Sequence, residues 1–308
     1  YATLSLSDTA SLPTDQVTSA KGSSLFVRGG ATFAFPALRT YDSGDRFAAN
    51  PILRAEDANS RLDLSGITNW VGATGQFAAL DLSARAGGQL SLPHLTEITQ
   101  GYSRATAEGP GSRIDFSRLT VLNGQQWEAK NGGQILNPVL RHSSYSVLIL
   151  RDTAQLNLAT LTNLTGSSLY ATGGATMTFP LVSSYEGGAL NSQTLLADNP
   201  GSALVFPSLT RFVGATAQFR QTSIQALHGG RIQLPLVTSL GEGFTSFASA
   251  DAGSRMELPN LTALLGTTFE AARGGTFDCP QLVQVLNSAL TKRGPDSVLP
   301  TEKLTTVS

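Results

Sequence analysis

The chain has 308 residues, a formal net charge of −1 and a charged fraction of only 14%. A nearly neutral chain without runs of like charge has no field to hold nucleic acid or an anionic membrane surface, so both partner classes are excluded. No apolar run reaches the roughly 18 residues that a membrane span needs. The 31 glycines, among abundant Ser and Thr, indicate a β-rich chain with many corners.

The clearest copy of a phrase that returns along the whole chain lies at residues 249–266. Polar Arg255 and Glu257 alternate there with apolar residues, and Gly253 and Pro259 mark corners, which indicates two short strands joined by bends. A unit of this size cannot bury its own apolar edge, so copies must stack on one another. The repeat therefore predicts a solenoid.

Each copy has a slot, often proline, that follows a strand and recurs about every 20 to 30 residues. In chain order the slot holds Pro36, Ser65, Pro93, Ser117, Pro138, Ala159, Pro180, Pro207, Pro235, Pro259 and Pro280. A corner of small residues precedes each slot, and two corner types alternate: a doubled glycine, as at 87–88, and a pair mostly ending in serine, as at 111–112. Glycine there is expected to supply positive φ or close approach of successive coils.

A longer period overlies the coils. Residues 1–10 match 145–154, and Val-Gly-Ala-Thr at 71–74 returns at 213–216. We therefore expect one continuous solenoid with an internal duplication. Its parts are a first six-coil repeat at 1–144, a second at 145–288, and a degenerate last coil or C-terminal cap at 289–308.

The apolar spacing is two or three residues, and glycine interrupts every window long enough for an amphipathic helix. Strand, crossover and parallel strand connections are overwhelmingly right-handed. The predicted fold is an all-β, right-handed parallel β-helix (β-solenoid) of about 12–13 coils. Long coils carry extra segments that should protrude on one side and wall a groove occurring twice, at residues 41–56, 70–85, 185–198 and 212–227.

The phrase Leu-Pro-Asn-Leu-Thr at 258–262, with a following Leu and Gly, resembles the coils of secreted or cell-surface β-solenoid proteins. These include bacterial surface β-helix arrays and the leucine-rich L-type domains of extracellular receptors. The doubled glycines depart from the receptor pattern, so the bacterial likeness ranks higher. The resemblance implies an extracellular or cell-surface location, a structural, adhesive or glycan-handling role, and polysaccharide or other surface proteins as partners. It transfers no active-site residue.

Two outward-facing columns precede the proline slots. The first column holds Arg61, Gln89, Arg113, Gln134, Gln155, Thr176, Ala203, Arg231, Arg255 and Thr276, and the second holds Asp63, Ser91, Asp115, Leu136, Asn157, Thr178, Val205, Gln233, Glu257 and Asp278. Stacked strands lie about 4.8 Å apart, so Glu257 and Asp278 should be neighbours with Arg255 beside them. Such carboxylates can bind Ca²⁺ or serve as acid and base on a sugar polymer. Ordinary cross-strand ion pairs are the alternative that we favour.

Tyr41, Trp70 and Tyr102 border the long segments and are candidates for stacking against a glycan. Their partners in the second half are Tyr185, Phe212 and Phe244. All three positions keep an aromatic ring, but two of them lose the polar N–H or hydroxyl group in the second half. This pattern favours rings that are buried in the solenoid core. Both interpretations stay open at this point.

The three histidines are scattered, so no metal site, catalytic triad or cofactor is expected. Cys279 is the only cysteine and should be a small buried residue rather than a reactive thiol. The favoured function is a non-enzymatic module that spaces, adheres or displays; the alternative is a polysaccharide-active lyase or hydrolase using Arg255, Glu257 and Asp278. Residues 1–6 enter the repeat in full register, so we also expect end-to-end self-association or continuation into a longer chain.

Overall fold

A computed structural model describes all residues from Tyr1 to Ser308. The chain is all-β, without helix, and its parallel strands stack as a β-solenoid of about 13 turns. The fold class and the number of coils read from the repeat are thus confirmed. The handedness and the internal duplication stay predictions.

The strands are short, with two to six residues each. The first eighteen are β1 (Thr3–Ser7), β2 (Ser19–Lys21), β3 (Ser24–Arg28), β4 (Thr32–Ala34), β5 (Thr40–Asp42), β6 (Ile52–Glu56), β7 (Arg61–Asp63), β8 (Asn69–Val71), β9 (Leu80–Arg85), β10 (Gln89–Ser91), β11 (Glu97–Ile98), β12 (Ser103–Glu108), β13 (Arg113–Asp115), β14 (Val121–Asn123), β15 (Gln126–Lys130), β16 (Gln134–Leu136), β17 (His142–Ser144) and β18 (Val147–Arg151). The others are β19 (Gln155–Leu156), β20 (Ser168–Thr172), β21 (Thr176–Thr178), β22 (Ser184–Gly188), β23 (Gln193–Asp198), β24 (Ala203–Val205), β25 (Arg211–Ala215), β26 (Thr222–Leu227), β27 (Arg231–Gln233), β28 (Ser239–Leu240), β29 (Thr245–Ala250), β30 (Arg255–Glu257), β31 (Ala263–Leu265), β32 (Thr268–Ala272), β33 (Thr276–Asp278), β34 (Gln284–Leu286), β35 (Ala289–Arg293) and β36 (Thr306–Val307).

The chain divides into two compact units. The first comprises Tyr1–His142 and Asp152–Leu158, and the second comprises Ser143–Arg151 and Ala159–Ser308. In the first unit, one sheet runs β1-β3-β6-β9-β12-β15 and a second runs β4-β7-β10-β13-β16-β19. The third face carries β2-β5-β8 and β11-β14. Successive coils therefore supply one strand to each of three faces.

The second unit has the same plan. Its longest sheet runs β18-β20-β23-β26-β29-β32-β35, and its second runs β21-β24-β27-β30-β33. The third face carries β22-β25 and β28-β31-β34-β36. The predicted outward columns are confirmed as register partners, from Arg61 to Gln155 in the first unit and from Thr176 to Thr276 in the second.

The core is a set of ladders of buried apolar side chains, because alternate residues of each strand point inward. In the first unit one ladder runs Leu25, Leu53, Leu82, Ala105 and Trp127, and all of these side chains are buried. In the second unit the ladder runs Leu148, Leu169, Leu195, Ile224, Phe247 and Phe269, again buried throughout. Burial of these columns is the main stabilising contribution to each coil.

The alternation of corner types has a hydrogen-bonding cause. A buried serine of one coil accepts the backbone N–H of a corner glycine in the coil before it, in the pairs Gly30–Ser60, Gly87–Ser112, Gly174–Ser202, Gly229–Ser254 and Gly274–Ser297. Glycine is also needed for space, since a Cβ on Gly88 would lie 2.3 Å from the carbonyl oxygen of Ala55. The glycine corner of one coil thus donates a backbone hydrogen bond, and the serine corner of the following coil accepts it.

Candidate functional site

The long coils carry loops between their strands, and phenylalanine rings at the tips of these loops are exposed to solvent. In the first unit Phe47 and Phe77 are 66% and 76% exposed, and their rings meet edge to face with centroids 5.8 Å apart. Two backbone hydrogen bonds tie these loops together, from Ala48 N to Gln76 O at 2.9 Å and from Thr74 N to Gly44 O at 3.1 Å. The pair is therefore a fixed apolar tip on this unit.

The second unit has a matching tip. Phe219 is 92% exposed, and Leu190 on the neighbouring loop is exposed as well. Thr216 N donates to Gly188 O at 2.9 Å, as Thr74 does to Gly44 in the first unit. We refer to these four side chains, Phe47, Phe77, Leu190 and Phe219, as the loop-tip residues.

The backbone at the tips is in an unfavourable conformation. Phe77 has φ +57° and Phe219 has φ +63°, in the left-handed region that L-residues rarely adopt. That conformation costs roughly 1–2 kcal/mol for a residue with a Cβ, and glycine would avoid it. A phenylalanine that is both strained and largely exposed to solvent gains its own unit little stability from burial, so the fold itself does not require it.

Sequence reasoning missed the loop-tip residues, although a signal was present. The matched Val-Gly-Ala-Thr phrases at 71–74 and 213–216 are each followed, one residue later, by Gln-Phe. A large apolar residue that recurs in a polar loop, without the alternation of a strand, indicates a surface role. The sequence did predict that segments 41–56 and 70–85 protrude, but the prediction named neither phenylalanine.

Tyr41 and Trp70 lie at the base of the first-unit loops, with rings stacked at 5.3 Å and an interplanar angle of 28°. Both are buried, and Tyr41 donates its hydroxyl to Ser23 O at 2.6 Å. Burial raises the pKa of the Tyr41 phenol. These two rings present no open face to a sugar; they support the loop that carries Phe47 and Phe77.

Tyr102 is half-buried, and its hydroxyl is 3.2 Å from Gln126 Oε1. Its backbone pairs with Ala73, with Tyr102 N donating to Ala73 O at 2.8 Å. The structure thus brings Tyr41 and Trp70 together, and backbone hydrogen bonds attach Tyr102 to Ala73, three residues after Trp70.

Glu257 and Asp278 are direct register partners on β30 and β33, as the column predicted. The carboxylate of Glu257 is held mainly by the preceding coil: Arg231 Nε lies 3.0 Å from Oε1, and Gln233 Nε2 lies 2.7 Å from Oε2. Arg255 is more distant, with Nη1 4.0 Å from Glu257 Oε1. Arg231 and Gln233 are therefore the partners that the sequence interpretation did not assign.

Cys279 is the only cysteine of the chain. Cys279 is buried, as predicted, and burial together with the charge of Asp278 raises the pKa of its thiol to about 12. No group of three or more His, Cys, Asp and Glu side chains is arranged to hold a metal ion. The chain has no helix long and apolar enough to cross a membrane.

Comparisons with known proteins give one similarity. No protein family matches the chain, and no curated protein matches it either. Among solved structures, the crystal structure of a TibC-catalyzed hyper-glycosylated TibA fragment aligns over 100% of both chains, with 9% sequence identity and a TM-score of 0.27. A similarity at that level does not indicate a function.

Proposed function

We propose that this chain is a structural and adhesive module of an extracellular or cell-surface protein, which binds its partner through the loop-tip residues. The observation that carries the proposal is the paired occurrence of Phe77 and Phe219, each strained and exposed, on matching loops of the two units. The solenoid supplies a rigid base, and the loops supply the contact. Scattered surface apolar residues are ordinary, but strained ones repeated at one position are not.

A polysaccharide is the partner that we favour. Aromatic rings offer flat apolar faces, and planar amide and guanidinium groups beside them can hydrogen-bond sugar hydroxyls. Exposed Gln76 accompanies Phe77, and exposed Gln218 and Arg220 flank Phe219. The recurrence of the same kind of tip on both units suits a ligand that itself consists of repeating units.

The test is retention of the full chain on immobilised neutral and acidic polysaccharides and on intact cell surfaces. We expect Phe77→Ser combined with Phe219→Ser to lower retention on a polysaccharide at least tenfold. The control is Leu236→Ser, since Leu236 is 44% exposed and lies outside the loops. Retention that is unchanged in the double variant on every surface would contradict the proposal, and loss confined to protease-sensitive cell surfaces would replace the polysaccharide by a surface protein.

A further inference from the structure

A polar notch of about 150 Å³ lies on the outer side of the second sheet of the first unit. Arg61 on β7 and Arg113 on β13 form its two sides, and Gln89 on β10 is the register partner of both. Ser91 on the same strand and Asp115 on β13 complete the polar lining. The space exists because β10 carries shorter outward side chains than the strand on either side of it.

The two sides of the notch differ in their hydrogen bonds. On one side Arg61 Nη2 binds Asp63 Oδ2 at 2.9 Å, so this ion pair is closed. On the other side Arg113 Nη2 lies 3.8 Å from Asp115 Oδ2, which is beyond hydrogen-bond distance. Asp115 Oδ1 accepts the backbone N–H of Ser117 at 2.9 Å. Asp115 Oδ2 is therefore an acceptor that the chain itself leaves open.

Two more groups at the notch make no hydrogen bond within the chain. Arg113 Nε is buried and has no hydrogen-bond partner. Ser91 is only 9% exposed, and its hydroxyl group is also without a partner in the chain. Buried polar groups of folded proteins are nearly always hydrogen-bonded. An open acceptor, an open donor and a hydroxyl group, all at one notch, thus indicate a ligand.

The second half of the sequence closes the matching place with its own side chains. The offset that relates 71–74 to 213–216 puts longer residues there: Arg231 for Gln89, Gln233 for Ser91 and Glu257 for Asp115. Arg231 Nε and Gln233 Nε2 bind separate oxygens of Glu257, at 3.0 and 2.7 Å. The fold can therefore satisfy a carboxylate at this position, and the open arrangement is specific to the first unit.

We propose that the notch binds one neutral sugar residue of a polysaccharide through two neighbouring hydroxyl groups. One hydroxyl would donate to Asp115 Oδ2 and accept from Arg113. The other would exchange hydrogen bonds with Ser91 and Gln89. A hydroxyl group can donate and accept at the same time, as this set of open groups requires.

Charge, polarity and size select this occupant. Asp63 and Asp115 balance the charges of Arg61 and Arg113, so the notch has no net charge to attract an ion. A carboxylate ligand could not donate to Asp115, and an ammonium ligand could not accept from Arg113. Leu90, the only apolar lining residue, is 1% exposed, so an apolar side chain of a peptide would find no apolar surface. The volume is below the roughly 300 Å³ at which pockets for drug-sized ligands begin, which suits a single ring.

The test is an NMR titration of the isotope-labelled full chain with the methyl glycosides of glucose, mannose and galactose. We expect at least one glycoside to give saturable shifts of the Arg113 Nε–H and of the backbone amides of residues 89–91. Its affinity should be at least fivefold higher than that of acetate, methylammonium or acetamide. Ser91→Gln, which copies the second half, should lower that affinity at least tenfold. Thr178→Gln is the matched control, because Thr178 is exposed in the same outward column but lies outside the notch.

This site rests on the proposed function only for the polymer that carries the sugar, and it shares no residue with the loop tips. Phe77→Ser combined with Phe219→Ser should therefore leave the glycoside shifts unchanged, so either proposal can fail alone. Absence of saturable shifts with all three glycosides would overturn the sugar site. Tighter binding of acetate or methylammonium, or equal binding of acetamide, would also overturn it. If Ser91→Gln does not fold, Gln89→Ala decides, since Gln89 is exposed and its loss should lower the affinity at least threefold.

Discussion

Gly87 donates its backbone N–H to Ser112 Oγ at 2.9 Å, and Ser112 Oγ in turn donates to Glu108 O at 2.6 Å. One buried hydroxyl thereby satisfies a donor of the preceding coil and an acceptor of its own coil. We expect Ser112→Ala to lower the free energy of unfolding by about 1–3 kcal/mol, because Gly87 N–H loses its buried partner. Urea denaturation measures the change.

The control for this prediction is Ser117→Ala in the same coil. Alanine already occupies that slot at Ala159, so a loss below about 0.5 kcal/mol is expected there. Equal losses in the two variants would show that the Gly87–Ser112 hydrogen bond is not the source of the stability.

The loop-tip strain makes an unusual prediction for stability. Phe219→Gly should raise the free energy of unfolding by about 0.5–1 kcal/mol, since relief of the left-handed strain exceeds the extra chain entropy of glycine. Phe219 is 92% exposed, so little packing is lost with the ring. Retention on the partner surface should fall in the same variant. A destabilised Phe219→Gly chain would contradict the strain argument.

Variants of Tyr41 and Trp70, the buried pair at the loop base, measure the contributions of hydrogen bonding and of packing separately. Tyr41→Phe removes the 2.6 Å bond to Ser23 O and should cost about 1–2 kcal/mol. Trp70 Nε1 is buried without a hydrogen-bond partner, and the second unit has Phe212 at this place. Trp70→Phe therefore loses no hydrogen bond. Urea denaturation of Tyr41→Phe and Trp70→Phe therefore measures a hydrogen-bond loss and a packing loss separately.

Glu257 distinguishes an ion-pair ladder from a catalytic site. Glu257→Gln keeps one carbonyl oxygen for Arg231, and Gln233 can turn its own amide oxygen towards the new NH₂ group, so we expect a stability loss below about 1 kcal/mol. The parent chain should release no new reducing ends or unsaturated products from polyuronates and neutral glycans. Turnover by the parent chain that Glu257→Gln abolishes would establish the alternative enzymatic function.

His228 should make stability depend on pH. Its Nδ1 lies 2.7 Å from Asp198 Oδ1 and its Nε2 lies 3.4 Å from Asp251 Oδ2, while Arg273 also binds Asp251. The hydrogen bond to Asp198, with the charge of both carboxylates, raises the pKa of His228, although desolvation and Arg273 oppose this. A raised folded-state pKa gives stability that is fully present below the ordinary value of about 6.5 and is lost as the pH rises through the folded value.

The matched variant is His228→Ala, because Ala86 holds the corresponding position with the same φ of 49°. The midpoint of thermal unfolding should differ more between the two chains at about pH 5.5 than at about pH 9. A difference independent of pH would show that the His228 charge is not the cause.

Much of the fold follows from the sequence because one period governs it. The columns that contain Arg113 and Glu257 lie in the expected register, since a slip of one residue would expose the apolar set. The ion-pair partner of Glu257 could not be predicted in the same way. Arg231 lies on the neighbouring strand and Arg255 on the same strand as Glu257, and the side-chain rotamers decide which of them binds the carboxylate. The strained backbone of Phe77 likewise leaves no mark in the alternation of apolar residues.

Cys279 has a practical consequence for all these experiments. Its thiol is inaccessible, and its pKa of about 12 keeps it protonated at neutral pH. A second cysteine introduced at an exposed position, such as Gln76 or Gln218, would therefore react alone with a maleimide dye. Fluorophores or spin labels could thus be attached at either loop without first removing the native sulfur.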